Sequence, residues 1–580
     1  GMDYDVIIVG GGPAGSTCAS LLKKYGPDLR VLVLEREVFP RAHVGESQLP
    51  PVTQVLAEMG VWEKVEAAGF PVKTGAMYRW GSSDDLWKFD FLVGEQYEEQ
   101  ARPGKLEGQR LRTTFHVERA LYDKILLDHA RELGAEVREG TKVVAVERDG
   151  DTILGLTLAD GQVVRGTTYV DASGHVGFLR RQMGVEVDEP TQLKNIAIWD
   201  YWENTEWSKT VNKGGIRARI FSIGYGWIWF LPISETRTSI GAVTHVDHFR
   251  DSGQKAEDFY VSALQEEPFV RGLLPNARRE GNLASTKDWS FTAARITGDN
   301  WYLVGESAGF ADPILAAGMT LAHVGARELA HLILAKHAGE HDEAWLKAWY
   351  EEITLRRVRQ HIRFADFWYS NNVHFTELKE FTSAIAADAG LTLDPDEGFR
   401  WLAAGGFASD NLALPVVGTY ALAPAKILMQ KLTGKEATWQ VGKYNEFRLN
   451  LAGAMKTEVP YCFEGKIDRI KGYTRGAKLL PLVGMYRIVF AALQNESDAS
   501  RVMGLIRNFL MEQKAASQSA LISALEAIEG MIAEGWVTAK VNKKRPFLQL
   551  SVEQHSMEIT EVEEPVAVGA YREDKGRVQK

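Results

Sequence analysis

Near its start the chain runs Val6-Ile7-Ile8-Val9 into Gly10-Gly11-Gly12-Pro13-Ala14-Gly15, and a helix-like stretch from Ser16 to Tyr25 follows. A second apolar run, Val31-Leu32-Val33-Leu34, ends in Glu35, about 20 residues beyond the last glycine. Strand, glycines, helix, strand and acid in this order form the βαβ dinucleotide fingerprint, which commits the chain to a Rossmann-like α/β core. Gly10 allows the tight turn, Gly12 bares backbone for a pyrophosphate, and Gly15 lets helix and strand pack closely. Gly10, Gly12, Ala14, Gly15 and Glu35 are therefore read as cofactor-binding, with Glu35 on the adenosine ribose and helix N–H groups on the phosphates. The fingerprint by itself leaves FAD and NAD open.

A length of 580 residues suits two to four domains, at roughly 100–200 residues each. Hydrophobic residues at 45% and charged residues at 25% are globular proportions, and no run of about 18 apolar residues offers a membrane span. A net charge of −10 argues against a nucleic-acid surface, which needs clustered Lys and Arg. Two cysteines, Cys18 and Cys462, cannot build a disulfide framework, the N-terminus lacks the charged region of a signal peptide, and a cytoplasmic protein is expected. No metal site is expected. The 16 tryptophans are more than a core of this kind needs, so some are expected to line a site or an interface.

Further along, Phe39-Pro40-Arg41-Ala42-His43-Val44-Gly45-Glu46-Ser47, Phe115-His116-Val117-Glu118-Arg119-Ala120-Leu121-Tyr122-Asp123 and Val170-Asp171-Ala172-Ser173-Gly174 appear in turn. They are followed by Tyr302-Leu303-Val304-Gly305-Glu306-Ser307-Ala308-Gly309-Phe310-Ala311-Asp312-Pro313. Together these resemble the flavin-binding family of aromatic hydroxylases, geranylgeranyl reductases and flavin-dependent halogenases. The resemblance implies FAD, with Arg36, Arg41, Ser47, Arg119, Asp171, Gly305, Glu306, Pro313, Gly318 and Met319 in its site. Glu306 stands where the family pattern has the shorter Asp. No second fingerprint for NAD(P)H is present, which points to direct access of NADPH or to a separate flavin reductase that supplies reduced FAD.

Two more segments resemble the halogenases in particular. Phe70-Pro71-Val72-Lys73-Thr74-Gly75 matches the context of that family's catalytic lysine, and Gly226-Trp227-Ile228-Trp229-Phe230-Leu231-Pro232 matches its WxWxIP signature with Leu231 for Ile. On residues alone a lysine in a strand is usually a solvated face and a Trp-rich strand usually core. By resemblance Lys73 is catalytic, and an amine in an apolar pocket has a depressed pKa suited to handling hypohalous acid. Trp227 and Trp229, two apart and so on one face of a strand, form with Pro232 a wall beside the flavin. In Asp312-Pro313-Ile314-Leu315-Ala316-Ala317-Gly318, backbone N–H groups of Ala317 and Gly318 are the implied halide site, although the family often carries Ser or Thr where Ala317 stands. Asp288 is a weaker candidate for the flavin edge.

The expected architecture is α/β: a Rossmann-like FAD-binding domain (1–180 and 296–340) with an inserted β-sheet substrate domain (181–295). A helical region (341–480), a winged-helix-like module (481–555) and a frayed tail (556–580) follow. His341 to Asn371 reads as one amphipathic helix whose Trp345, Trp349 and Trp368 are candidate pocket walls. Asp498–Phe509 and Gln518–Ala533 read as helices, and Trp536–Lys540 with Phe547–Val552 as a hairpin. The resemblance implies halogenation by reduced FAD and O2, with chloride or bromide, of a phenol- or pyrrole-type ring that is free or tethered to a carrier protein. An aromatic hydroxylase or isoprenoid-reductase-like enzyme is the alternative. A flavin-binding carrier or regulatory module without halogenation is the second alternative.

Overall fold

The computed structural model describes residues 3–92, 95–204, 207, 215–287, 289–389, 429–436, 438–553 and 556–565. Asp288 lies outside them.

A five-stranded parallel sheet carries the fingerprint, in the order Trp301–Leu303, Gly166–Asp171, Tyr4–Val9, Val31–Leu34 and Glu136–Arg138. Val6–Val9 and Val31–Leu34 are buried throughout, as continuous apolar strands covered by helices on both faces must be. The helix Pro13–Tyr25 starts on a proline that needs no N–H partner and ends with Lys23 and Lys24 on its negative pole. It packs against the buried helix Gly318–Ala338.

The second sheet has nine strands, and its central path runs Asn195–Glu203, Arg237–His245, Gly226–Pro232, Ile216–Ile223, Val72–Arg79 and Trp87–Asp90. Val72–Arg79 pairs parallel to Ile216–Ile223 and antiparallel to Trp87–Asp90 and Thr114–Phe115. The segment before residue 180 therefore lends three strands to this sheet, because an apolar strand buried on both faces pairs wherever an edge is open. Alternation along Gly226–Pro232 divides the strand between two cores. Ile228 and Phe230 join the helices Ala256–Glu266 and Pro268–Leu273 on one face, while Trp227, Trp229 and Leu231 face the other way.

The helix Glu343–Ser370 forms as the periodicity indicates, but its tryptophans do not line the cavity described below. Trp345 lies under Arg469, and Trp368 is buried against Tyr78, Trp80 and Trp87. The expected helical stretch to residue 480 instead holds a three-stranded antiparallel sheet, Met455–Phe463, Lys466–Arg475 and Lys478–Pro481. Its first turn is Glu464-Gly465, both at positive φ, a hairpin turn in which the glycine was the readable signal.

The C-terminal helices Gly484–Asn495, Ala499–Glu512 and Gln518–Ala533 follow. The expected wing is not formed: Val537–Lys540 pairs with Glu446–Leu449, and Phe547–Glu553 with Ser556–Val562, so part of the expected tail is a strand. Asn445 explains the change. Its buried amide donates to the carbonyls of Asn542 and Arg545 and accepts from Asn542 N–H, drawing the intended turn onto the distant strand. No helix among the described residues is long and apolar enough to cross a membrane.

Candidate active site

A cavity of about 700 Å³ opens between the two sheets. Gly10, Gly12, Ala14, Glu35, Arg36, Arg41, Ser47, Arg119, Glu306, Pro313, Ala317, Gly318 and Met319 line it, and so do Lys73, Trp227 and Trp229. Gly15, Asp171, Gly305 and Pro232 are not on its wall. A Cβ on Gly15 would lie 1.9 Å from Gly10 O, so Gly15 serves packing. Asp171 accepts from Ser173 N–H and Arg180 N–H and fixes the chain crossover behind the wall. Gly305 turns at φ 66 against Ala14, and Pro232 offers its carbonyl to His116 Nδ1 at 2.9 Å.

At the dinucleotide end, Glu35 accepts from the backbone N–H groups of Gly11 (3.0 Å) and Glu37 (2.8 Å), which orient its carboxylate. The fully buried Asp123 accepts from Arg119 Nε (2.8 Å) and Arg41 Nη1 (2.7 Å), and Arg119 Nη1 donates to Val44 O and Gly45 O. One carboxylate thus holds two cavity arginines and, through one of them, the segment 43–47. Glu306 pairs with His175 at 2.9 Å. Burial alone would raise Glu306, but the charge and hydrogen bond of His175, aided by His43 and Arg119, hold its carboxyl at about 2.

At the other end, Lys73 is 2% exposed, and Nζ donates to Ser47 Oγ and Gln48 O, both at 2.7 Å. Burial lowers its amine to about 7. With two acceptors taken, the remaining position on Nζ is an N–H when the amine is charged and a lone pair when it is neutral. Trp227 and Trp229 stand with ring centroids 6.1 Å apart, and Trp199 is 6.2 Å from Trp229. Tyr78, Phe89 and Phe91 complete an aromatic room.

Sequence reasoning missed Trp199, Glu46, Asn195 and His175 on this wall. Glu46 is buried, accepts from Tyr201 OH at 2.8 Å, and is pushed upward by burial against the pull of Tyr201 and Arg119. Glu46 lies within a recognised motif and His175 directly follows one, whereas Trp199 and Asn195 lie on a strand with no signature.

The family described as FAD binding domain matches residues 3–365. The 1H-pyrrole-2-carbonyl-[peptidyl-carrier protein] chlorinase of Pseudomonas fluorescens is 35% identical over 399 residues, 63% of this chain and 86% of that protein. The chain belongs to the flavin-dependent halogenase family. A tryptophan 2-halogenase of Chondromyces crocatus is 32% identical over 359 residues, 60% of this chain and 64% of that one. Among solved structures, the myxobacterial chondrochloren halogenase CndH matches with a TM-score of 0.55 at 28% identity, over 67% of this chain and 91% of that chain. The flavin-dependent halogenase CmlS shares the fold more widely, with a TM-score of 0.68 at 23% identity over 92% of this chain and 96% of that chain.

As a member of the flavin-dependent halogenases this is an FAD-dependent enzyme, and its cavity fits the cofactor. A Cβ added to Gly12 would meet only Arg41 Nη2 at 3.6 Å, and one on Gly318 only Glu306 Oε1 at 3.6 Å. Bare backbone therefore faces the cavity at both signatures. Ala316 adopts φ 53, a left-handed conformation costly for a residue with a Cβ. It turns the chain into Ala317 and the helix beginning at Gly318, whose first N–H groups have no partner within the helix.

Proposed function

We propose that this enzyme halogenates an electron-rich, phenol- or pyrrole-type ring through hypohalous acid, with Lys73 as the catalytic residue. The observation that carries the reading is a single cavity whose flavin cradle, buried amine and paired indoles share one wall system. Bound in its reduced form, the cofactor with O2 supplies the two-electron oxidation of chloride or bromide to hypohalous acid, and water is released. Glu35, Arg41, Arg119 and Glu306 orient the dinucleotide, and the N–H groups of Ala317 and Gly318 hold the halide. Trp227 and Trp229 keep the aromatic ring off the flavin. The Lys73 ammonium, already anchored on Ser47 and Gln48, donates its third N–H to the oxygen of hypohalous acid and orients the halogen. As the ring carbon bonds to the halogen the O–X bond breaks, the leaving oxygen takes the Lys73 proton and departs as water, and the ring proton, lost last, passes through solvent to restore the ammonium.

Two relatives are named as halogenases of a pyrrole ring on a peptidyl-carrier protein, which favours a carrier-tethered substrate. A separate flavin reductase is the natural electron source for a chain with one dinucleotide fingerprint. Two buried free cysteines suit a cytoplasmic setting. The test supplies purified protein with reduced FAD, O2, chloride or bromide and a panel of phenols and pyrroles, free and carrier-bound. A halide-dependent product that Lys73→Ala abolishes is expected. Hydrogen peroxide alone with every substrate overturns the reading.

A further inference from the structure

Tyr369 is the next-to-last residue of the helix Glu343–Ser370 and is 2% exposed. Its hydroxyl has three partners: Trp227 Nε1 at 2.7 Å, Asn195 Nδ2 at 3.2 Å and Asp312 Oδ1 at 3.0 Å. The indole and amide nitrogens can only donate, so the hydroxyl accepts from both and gives its one proton to Asp312. Asp312 Oδ1 also accepts from Ile314 N–H at 3.0 Å, and Oδ2 accepts from Asn195 Nδ2 at 2.9 Å.

Each partner leads to a different part of the cavity. Trp227 and Asn195 are on its wall, whereas Tyr369 and Asp312 are behind it. Asp312 caps the turn Pro313–Leu315, which runs into the strained Ala316 and then Ala317-Gly318. A strained backbone persists only where its surroundings over-determine it, and the Asp312 cap is the constraint at this turn's entry.

We propose that Tyr369 is a positioning residue that ties the Trp227 indole to the Asp312-capped turn, fixing the distance between the indole wall and the N–H groups of Ala317 and Gly318. The inference rests on the halogenase reading. The phenol oxygen is the joint. Without it the Trp227 N–H is buried and unpaired, and the turn is free to relax away from the wall.

Tyr369→Phe keeps the ring, which packs edge-on to Trp80 and stacks on Phe375, and removes only the joint. The test uses the holoenzyme with oxidised FAD. Bromide is titrated while the flavin absorbance is followed, and turnover is measured separately. The variant is expected to keep its FAD content and to bind bromide about 10-fold more weakly, the size of one lost buried hydrogen bond. KM for bromide rises similarly, kcat at saturating bromide stays within about threefold, and the peroxide released per product increases.

Asp312→Asn is expected to weaken bromide comparably, and the double variant to be no weaker than Asp312→Asn alone, because both act through one joint. Bromide affinity within about twofold of wild type in Tyr369→Phe, or strictly additive losses, overturns the inference. Should Tyr369→Phe fail to hold FAD, Trp227→Phe, which deletes the partner N–H, is titrated with bromide in the same way and read by affinity alone, and an affinity within about twofold of wild type overturns the inference. A wild-type protein without any bromide response overturns the halogenase reading and this inference with it. A wild-type response that the variant leaves unchanged overturns this inference alone.

Discussion

Lys73 shows how far one buried residue can be reasoned from its surroundings. A charged amine at 2% exposure with no carboxylate partner among the described residues pays the full cost of leaving water, which is why burial brings it from the usual lysine value to about 7. If the ammonium is the acting form, kcat/KM for the aromatic substrate falls as pH rises through about 7, and a pH profile between 6 and 9 checks this. A rate that climbs across that range assigns the work to the neutral amine. The same shift has a stability consequence. Between about pH 7 and the ordinary lysine value the unfolded chain binds a proton that the folded chain does not, so stability rises with pH across that window. Below it the folded protein carries the whole burial cost, at most roughly 5 kcal/mol by the linkage constant. Lys73→Met removes that cost but strips a donor from Ser47 Oγ and Gln48 O. We expect a net gain of about 1–2 kcal/mol at pH 6 that shrinks toward pH 9, by urea unfolding, with halogenation abolished. A loss of stability at pH 6 refutes it.

Among the strands, the decisive arrangement is a glycine between two indoles. Trp199 and Trp229 both pair in register with Gly241, and a Cβ there would lie 2.2 Å from the Trp229 ring. The bare Cα is what lets the Trp229 indole lie down across the sheet and give its N–H to Ser239 at 3.0 Å. Gly241→Ala must rotate that indole, so we expect a loss of about 1–3 kcal/mol and more peroxide per halogenated product, read by thermal unfolding and product analysis. Unchanged coupling would show that the Trp229 orientation is immaterial. Such strands also mark what the sequence disclosed. The βαβ turn and the alternation of Trp227 and Trp229 were legible because spacing within one segment fixes them. Asn195, Trp199 and Tyr369 were not, since their roles exist only once strands and a helix far apart in the chain meet. The missed wing follows the same rule: Asn445 captures a turn about a hundred residues away, a contact no local propensity encodes.

Over the whole molecule, the C-terminal region is held to the FAD-binding core by the tip of the hairpin Met455–Arg475. Gly465 N–H donates to His331 Nε2 at 3.1 Å, Cys462 O accepts from Arg327 at 3.1 Å, and Ile467 O meets His341 at 2.6 Å. Gly465 rests on Tyr25, where a Cβ would come within 2.5 Å of the ring. Beyond the hairpin, Arg475 bonds Gly535 O, and the C-terminal helices share one core with the cavity face of the second sheet. Loosening the tip should therefore expose the C-terminal region while the dinucleotide cradle stays intact. Gly465→Ala, at φ 82 and against Tyr25, combines backbone strain with a clash, whereas Gly453→Ala, at φ 72 with nothing within 4 Å, carries strain alone. We expect both variants to retain FAD, Gly453→Ala to lose about 1 kcal/mol, and Gly465→Ala to lose a further 1–3 kcal/mol. Limited proteolysis should cut the C-terminal region of Gly465→Ala at least about 5-fold faster than that of the Gly453→Ala control, in keeping with an opening free energy lowered by that margin. Equal cleavage of the two variants would mean that the shared core, and not the hairpin tip, holds the two halves together.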